Sequence, residues 1–281
     1  MSKSEINHVK SWEVNIEDTT PVMQQYLKIK QENPEILLWY RLGDFYETFF
    51  EDAEIMSREL ELTLTGRDAG AKLGRVPLAG IPYKAAEGYL EKLVQKNYKV
   101  AICEQLEDPK FAKGLVKRGI VRIVTAGTLT ESNLLKQNSN NYICAIYKDE
   151  KTDLFGFSYT DISTGEFKTT FFKELKTTLL DEVSKISPKE VLVDVNFNEE
   201  LLNEIHNISN ALITKKNVMN FNCTDEELIN QFSEVEVAGL DLRSKIASSI
   251  LLKYILDTQK MSLSNINVLE SYDIVNYMTI D

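Results

Sequence analysis

Two histidines, three cysteines and no phosphate-binding loop leave this sequence short of most catalytic equipment. His8 and His206 supply a histidine-centred active site poorly. Cys103, Cys144 and Cys223 stand far apart without a C-x-x-C spacing, which argues against a zinc site or a disulfide framework. No G-x-x-x-x-G-K-[S/T] occurs, so nothing in these residues points to nucleotide hydrolysis. No apolar run approaches the roughly 20 residues of a membrane span. The opening Met1-Ser2-Lys3-Ser4-Glu5 lacks the apolar centre of a signal peptide, and the expected location is cytoplasmic. Basic residues are also in deficit, 32 Lys and Arg against 43 Asp and Glu, for a net charge of −11.

What is present is ordinary in bulk and uneven in distribution. A length of 281 residues suits about two domains, and a hydrophobic content of 43% is that of a globular protein. Residues 62–122 hold twelve Lys and Arg against six Asp and Glu, a local excess of +6 that leaves −17 for the rest. Contact with phosphates requires a basic patch and does not require a basic protein.

Hydrophobic periodicity divides the chain near Thr125. Thr20-Pro21 starts a helix that runs to about Gln31, with Thr20 as cap and Pro21 at its first position. An apolar strand follows at 36–42, then a helix from Asp44 to about Glu59, a strand at 62–65 and a glycine-rich loop from Gly66 to Pro82. A helix at 84–96 and strands at 99–103 and 120–124 complete an α/β unit. The second part opens with three strands joined by hairpins, Tyr142–Tyr147, Leu154–Thr160 and Glu166–Phe172. Helices then alternate with strands at 190–194 and 212–214, and helical pattern covers 225–232 and 240–257. That order is RNase H-like.

The most informative residues are Gly43-Asp44-Phe45-Tyr46-Glu47. On the helical reading, Tyr46, Phe49, Phe50, Ala53, Met56 and Leu60 form one stripe. Phe45 stands at its margin in the first turn, and Glu47 lies on the opposite, polar side. A free ring beside a free carboxylate suits the reading of a base, the ring wedging into the stack and the carboxylate meeting a polar edge. Asp44-x-x-Glu47 is equally a capping box. Further on, Arg67, Lys72 and Arg75 lie among Gly66, Gly70 and Gly74, and Lys84 follows the rigid turn Gly80-Ile81-Pro82-Tyr83. These four cations are candidates for phosphate contact, since glycines permit close backbone approach.

These segments resemble the DNA mismatch-repair MutS family. The resemblance rests on Thr20–Leu27, Gly43–Phe50, Ala79–Tyr83, Val100–Gln105, Val121–Thr128 and Asp161–Phe167, all in that family's order. Thr48, Leu78, Lys84 and Ala126 depart from its usual residues without touching Phe45 or Glu47. The resemblance implies a flexible segment over 1–17, a mixed-sheet α/β mismatch-recognition domain over 18–125 and an RNase H-like α/β connector over 126–262. Residues 263–281 would begin a core domain, with clamp and ATPase domains beyond. It also implies mismatched double-stranded DNA as ligand, with Phe45 as wedge and Glu47 as base contact. A MutL-type partner through the connector and a homodimer of the longer protein would follow. No cofactor is expected in these residues, ATP and Mg belonging to the ATPase domain. Two rivals differ in class. One is a metal-dependent nuclease using Asp161 and Glu166, whose carboxylates a tight hairpin turn explains equally well. The other is a protein-interaction module that uses the acidic second domain.

Overall fold

A computed structural model describes residues 5–108, 110–112, 114–130, 140–172, 176–219 and 224–274. Lys113, Cys223 and the terminal stretch 275–281 lie outside the described residues. The chain forms two compact units that meet in sequence at Thr125 and Ala126.

In the first unit, α1 (Pro21–Glu32) precedes a hairpin of β1 (Leu37–Leu42) and β2 (Phe45–Phe49). Next come α2 (Phe50–Leu60), β3 (Thr65–Asp68), β4 (Arg75–Pro82), α3 (Ala86–Gln95), β5 (Val100–Gln105) and β6 (Arg118–Val124). The sheet order is β3-β4-β2-β1-β5-β6. Only β1 and β5 are a parallel pair; the other neighbours are antiparallel. Side chains alternate between faces along each strand. Leu38, Tyr40 and Phe49 meet Met23, Tyr26 and Leu27 of α1. Thr48 points to the other face, where its hydroxyl reaches the Met56 sulfur of α2 at 3.4 Å.

Three expectations for this unit need correction. Phe45 to Phe49 is a strand and the helix begins at Phe50. Aromatic and branched residues suit a pleated surface, and pairing with both β1 and β4 outweighs one turn of helix. Thr20 occupies the cap position of α1 but its side chain makes no capping bond, while Pro21 sits at the helix start as expected. The Gly66–Pro82 segment is largely the β3–β4 hairpin, and only residues 69–74 turn.

Residues 5–17, expected to be flexible, are docked. Ser11 donates from its backbone and hydroxyl to the Glu51 carboxylate at 2.8 and 2.5 Å. Beneath this lies a buried pair, Lys30 Nζ to Asp52 Oδ1 at 2.8 Å. Lys30 also donates to the carbonyls of Pro34 and Ile36, and Asp52 accepts from the Leu38 amide at 2.9 Å. The pair thus ties α1, α2 and the start of β1 together.

The second unit contains β7 (Tyr142–Asp149), β8 (Leu154–Asp161), β9 (Glu166–Phe172), α4 (Lys176–Ile186), β10 (Glu190–Asp194), α5 (Glu199–Ser209) and β11 (Leu212–Lys216). The helices α6 (Asp225–Gln231), α7 (Glu234–Ala238) and α8 (Leu242–Gln259) precede a short β12 (Glu270–Ser271). The strands order β11-β10-β7-β8-β9-β12, with β7, β8 and β9 antiparallel and β10 and β11 parallel to β7. This is the RNase H-like layout. Residues of α4 and α5 form the core on one face, and those of α6, α7 and α8 form the core on the other. Leu263, Ile266 and Leu269 are buried in the second of these cores, and β12 extends the sheet beside β9. Residues 263–271 therefore complete this unit rather than opening another.

Candidate nucleic-acid interface

The β1–β2 hairpin is closed by two residues, Gly43 and Asp44, with Leu42 opposite Phe45. Gly43 has φ +57° and Asp44 is not among the positive-φ residues, the pattern of a turn whose first position favours glycine. The Tyr83 amide donates to the Asp44 carbonyl at 3.0 Å, fastening this tip to the end of β4. Phe45 is the first residue of β2, opposite Pro82, and is 46% exposed where its strand neighbour Tyr46 is buried. Glu47 lies two residues on and so shares the face of Phe45. That corrects the helical reading, which set them on different sides. The capping box does not form either: Glu47 is in mid-strand, and its Oε2 accepts from Arg67 Nη1 at 2.6 Å.

The four cations separate on inspection. Arg67 is committed to Glu47. Arg75 turns back on its own hairpin, donating to the Gly66 carbonyl from Nε at 3.2 Å and Nη2 at 2.5 Å. Lys72 is exposed and pairs with Asp18 at 2.6 Å. It sits in the turn at the far end of β4, about 23 Å from the Phe45 tip by strand rise. Lys84 is exposed, two residues past Pro82. Phe45, Glu47 and Lys84 lie toward one end of the sheet, while Arg67, opposite Val76, starts from the end that holds Lys72 and extends its guanidinium to Glu47.

One group behind the tip was not anticipated from sequence. The Arg41 guanidinium lies 3.7 Å from the Tyr83 ring centroid and 5.6 Å from that of Tyr46. Its Nε donates to the Gly43 carbonyl at 2.5 Å and its Nη1 meets Glu104 at 3.3 Å. The Tyr46 hydroxyl also donates to Glu104. Burial, and then that bond, push the Tyr46 hydroxyl above its usual range, so it remains a donor. Stacked on two rings and bonded to the turn, Arg41 holds the hairpin that carries Phe45. The signal available in the sequence was polar residues at adjacent strand ends, Arg41 and Glu104, which reads only once the strands are paired.

Asp161 and Glu166 close the β8–β9 hairpin as a registered pair. Asp161 is buried and accepts from the Asn141 and Ser163 amides, both at 2.9 Å, and from the Ser163 hydroxyl at 2.6 Å. Glu166 accepts from the Tyr142 hydroxyl at 2.7 Å and pairs with Lys168. These are the bonds of a turn. No group of three or more His, Cys, Asp or Glu among the described residues could hold a metal ion. Among them, too, no helix is long and apolar enough to cross a membrane.

Comparison with known proteins gives the same family for both units. The family description MutS domain I matches residues 20–133, and MutS domain II matches residues 141–267. Over 262 residues the chain is 58% identical to the DNA mismatch repair protein MutS of Clostridium botulinum (strain Eklund 17B / Type B), covering 93% of this chain. It is 55% identical to the protein of that name from Clostridium beijerinckii and 49% identical to that from Clostridium perfringens, again over 93% of this chain. The chain spans 28–29% of the length of these relatives. With both of its units matched by the family's domains, this chain belongs to the MutS family and carries that family's domains I and II.

Proposed function

We propose that the first unit binds mismatched double-stranded DNA in mismatch repair, with Phe45 entering the stack beside the mispaired base and Glu47 hydrogen-bonding that base. The observation that carries this reading is a half-exposed aromatic at a braced hairpin tip, with a carboxylate two residues away on the same face. Opening a base step costs a few kcal/mol, and less where pairing is already defective. Stacking on an aromatic returns about 1–3 kcal/mol. Selectivity then arises mainly from how cheaply a mismatched duplex deforms. Glu47 contributes a contact that a well-stacked base does not offer. Lys84, two residues past the Pro82 that faces Phe45, is an exposed cation for the flanking phosphates.

The proposal assigns binding and no catalysis to these residues, and requires no cofactor in them. ATP and Mg would act in the ATPase domain of the longer protein. A homodimer of that protein, a MutL-type partner at the second unit and a cytoplasmic location complete the reading.

Competitive titration of the full natural chain with one duplex, matched or carrying a single mispair, tests it at several salt concentrations. Preference for the mispaired duplex is expected, with Glu47→Gln raising matched-duplex affinity and narrowing the preference. Equal affinity for the two duplexes in the unaltered protein would refute the proposal.

A further inference from the structure

The Glu47–Arg67 ion pair crosses a strand. Glu47 is on β2 and Arg67 on β3, and β4 runs between them. Arg67 registers with Val76 of β4 and Glu47 with Gly80, so the Arg67 side chain runs diagonally across β4 to bring Nη1 within hydrogen-bonding distance of Glu47. The β4 residue opposite Glu47 is Gly80, so no side chain stands directly across from the glutamate. A Cβ there would stand 3.4 Å from Glu47 Cγ, and a larger side chain would press on the glutamate. The guanidinium passes 5.8 Å from the Phe49 ring centroid, over a fully buried side chain that gives it a fixed floor. Arg67 engages Oε2 alone, and no other described residue bonds the Glu47 carboxylate.

We infer that Arg67 is a positioning residue for Glu47: it holds one carboxylate oxygen and thereby aims the other at the base. This rests on the reading of Phe45 and Glu47 as the base-contacting pair. It gives Arg67 a part in specificity, where the sequence suggested a phosphate contact. A cation on a phosphate strengthens binding to every duplex alike. A cation that orients a base-reading carboxylate changes the ratio of mismatched to matched affinity. Gly80 acquires a part as well, as the open position beside the Glu47 side chain.

The readout is therefore the ratio of mismatched to matched affinity in the full natural chain, which cancels any uniform loss of charge. Arg67→Gln is expected to lower the ratio about tenfold, the scale of one charge-assisted hydrogen bond. The decrease should match that of Glu47→Gln, and the double variant should fall no further. Arg67→Lys keeps the charge and should recover part of the ratio. Gly80→Val leaves both charges in place but crowds the Glu47 side chain out of its aim, so it should lower the ratio as Arg67→Gln does. Thermal melts of each variant show whether the sheet is intact, and Gly80→Val provides the test if Arg67→Gln does not fold. An Arg67→Gln ratio that is unchanged, with both affinities reduced together, would make Arg67 a phosphate contact and overturn the inference. A raised ratio, or an additive double variant, would overturn it too. A ratio of one in the unaltered protein would instead remove the underlying reading of Phe45 and Glu47.

Discussion

Phe45 and Phe49 are four residues apart in one short strand and face opposite fates. Phe49 is fully buried against Tyr26, their ring centroids 4.8 Å apart, while Phe45 is half-exposed at the strand's start. Truncating Phe49 to alanine should cost about 3–5 kcal/mol, as for a core aromatic. The same change at Phe45 should stay within about 0.5 kcal/mol, as for a surface site. Chemical denaturation of the two variants side by side measures this contrast. The sequence placed Phe49 on a helical stripe and Phe45 at its margin because Tyr46, Phe49, Phe50, Ala53 and Met56 do recur at helical spacing. What it could not show was that β4, some thirty residues later, pairs with 45–49 and claims them for the sheet. Both candidate residues stand out in the sequence, but their relation does not: only a strand period puts Phe45 and Glu47 on one face.

At the scale of elements, the first unit is fastened by the buried Lys30–Asp52 pair. Burial raises the Asp52 carboxyl to about 6, more than Lys30 and the Leu38 amide lower it. A carboxyl whose folded pKa exceeds its unfolded value binds its proton more tightly when folded. Its contribution to stability is fully present below about pH 4 and is lost as pH rises through about 6. Denaturation of the unaltered chain and of Asp52→Asn between pH 4 and 7 should show that extra slope in the former alone. Lys30→Met, which strands the carboxylate, should cost about 3–5 kcal/mol near neutral pH. Neither partner was legible in advance, since Lys30 reads as one more polar helix position until Asp52 is folded over it. The second unit was read more fully. Its hairpin strands are short runs bounded by turn residues and pair with immediate neighbours, so local pattern sufficed. The exception is residues 263–271, part of the 263–281 stretch that the family resemblance set at the start of another domain. Ending the chain at Thr258 to Lys260 would remove Leu263, Ile266 and Leu269 from the core, at about 1.5–3 kcal/mol each. A lowered unfolding midpoint of the isolated second unit so shortened is the expected result.

Over the whole molecule a net charge of −11 coexists with a basic stretch, and the structure shows why the stretch overstates its capacity. Arg67 and Lys72 are paired with Glu47 and Asp18, and Arg75 is spent on a backbone carbonyl. DNA affinity should therefore depend on few phosphate contacts, with Lys84 prominent among them. Lys84→Gln should weaken matched and mismatched binding alike and reduce the salt slope by about 0.9. The central claim is that Phe45 reads distorted DNA and does not hold the fold together. It is tested most directly by measuring, for the full natural chain and its Phe45→Ala variant, the affinity ratio between a mispaired and a matched duplex, together with thermal stability. The account predicts that the ratio falls to about one while the melting temperature is unchanged. A ratio that survives the substitution, or a fold lost with it, would contradict the account.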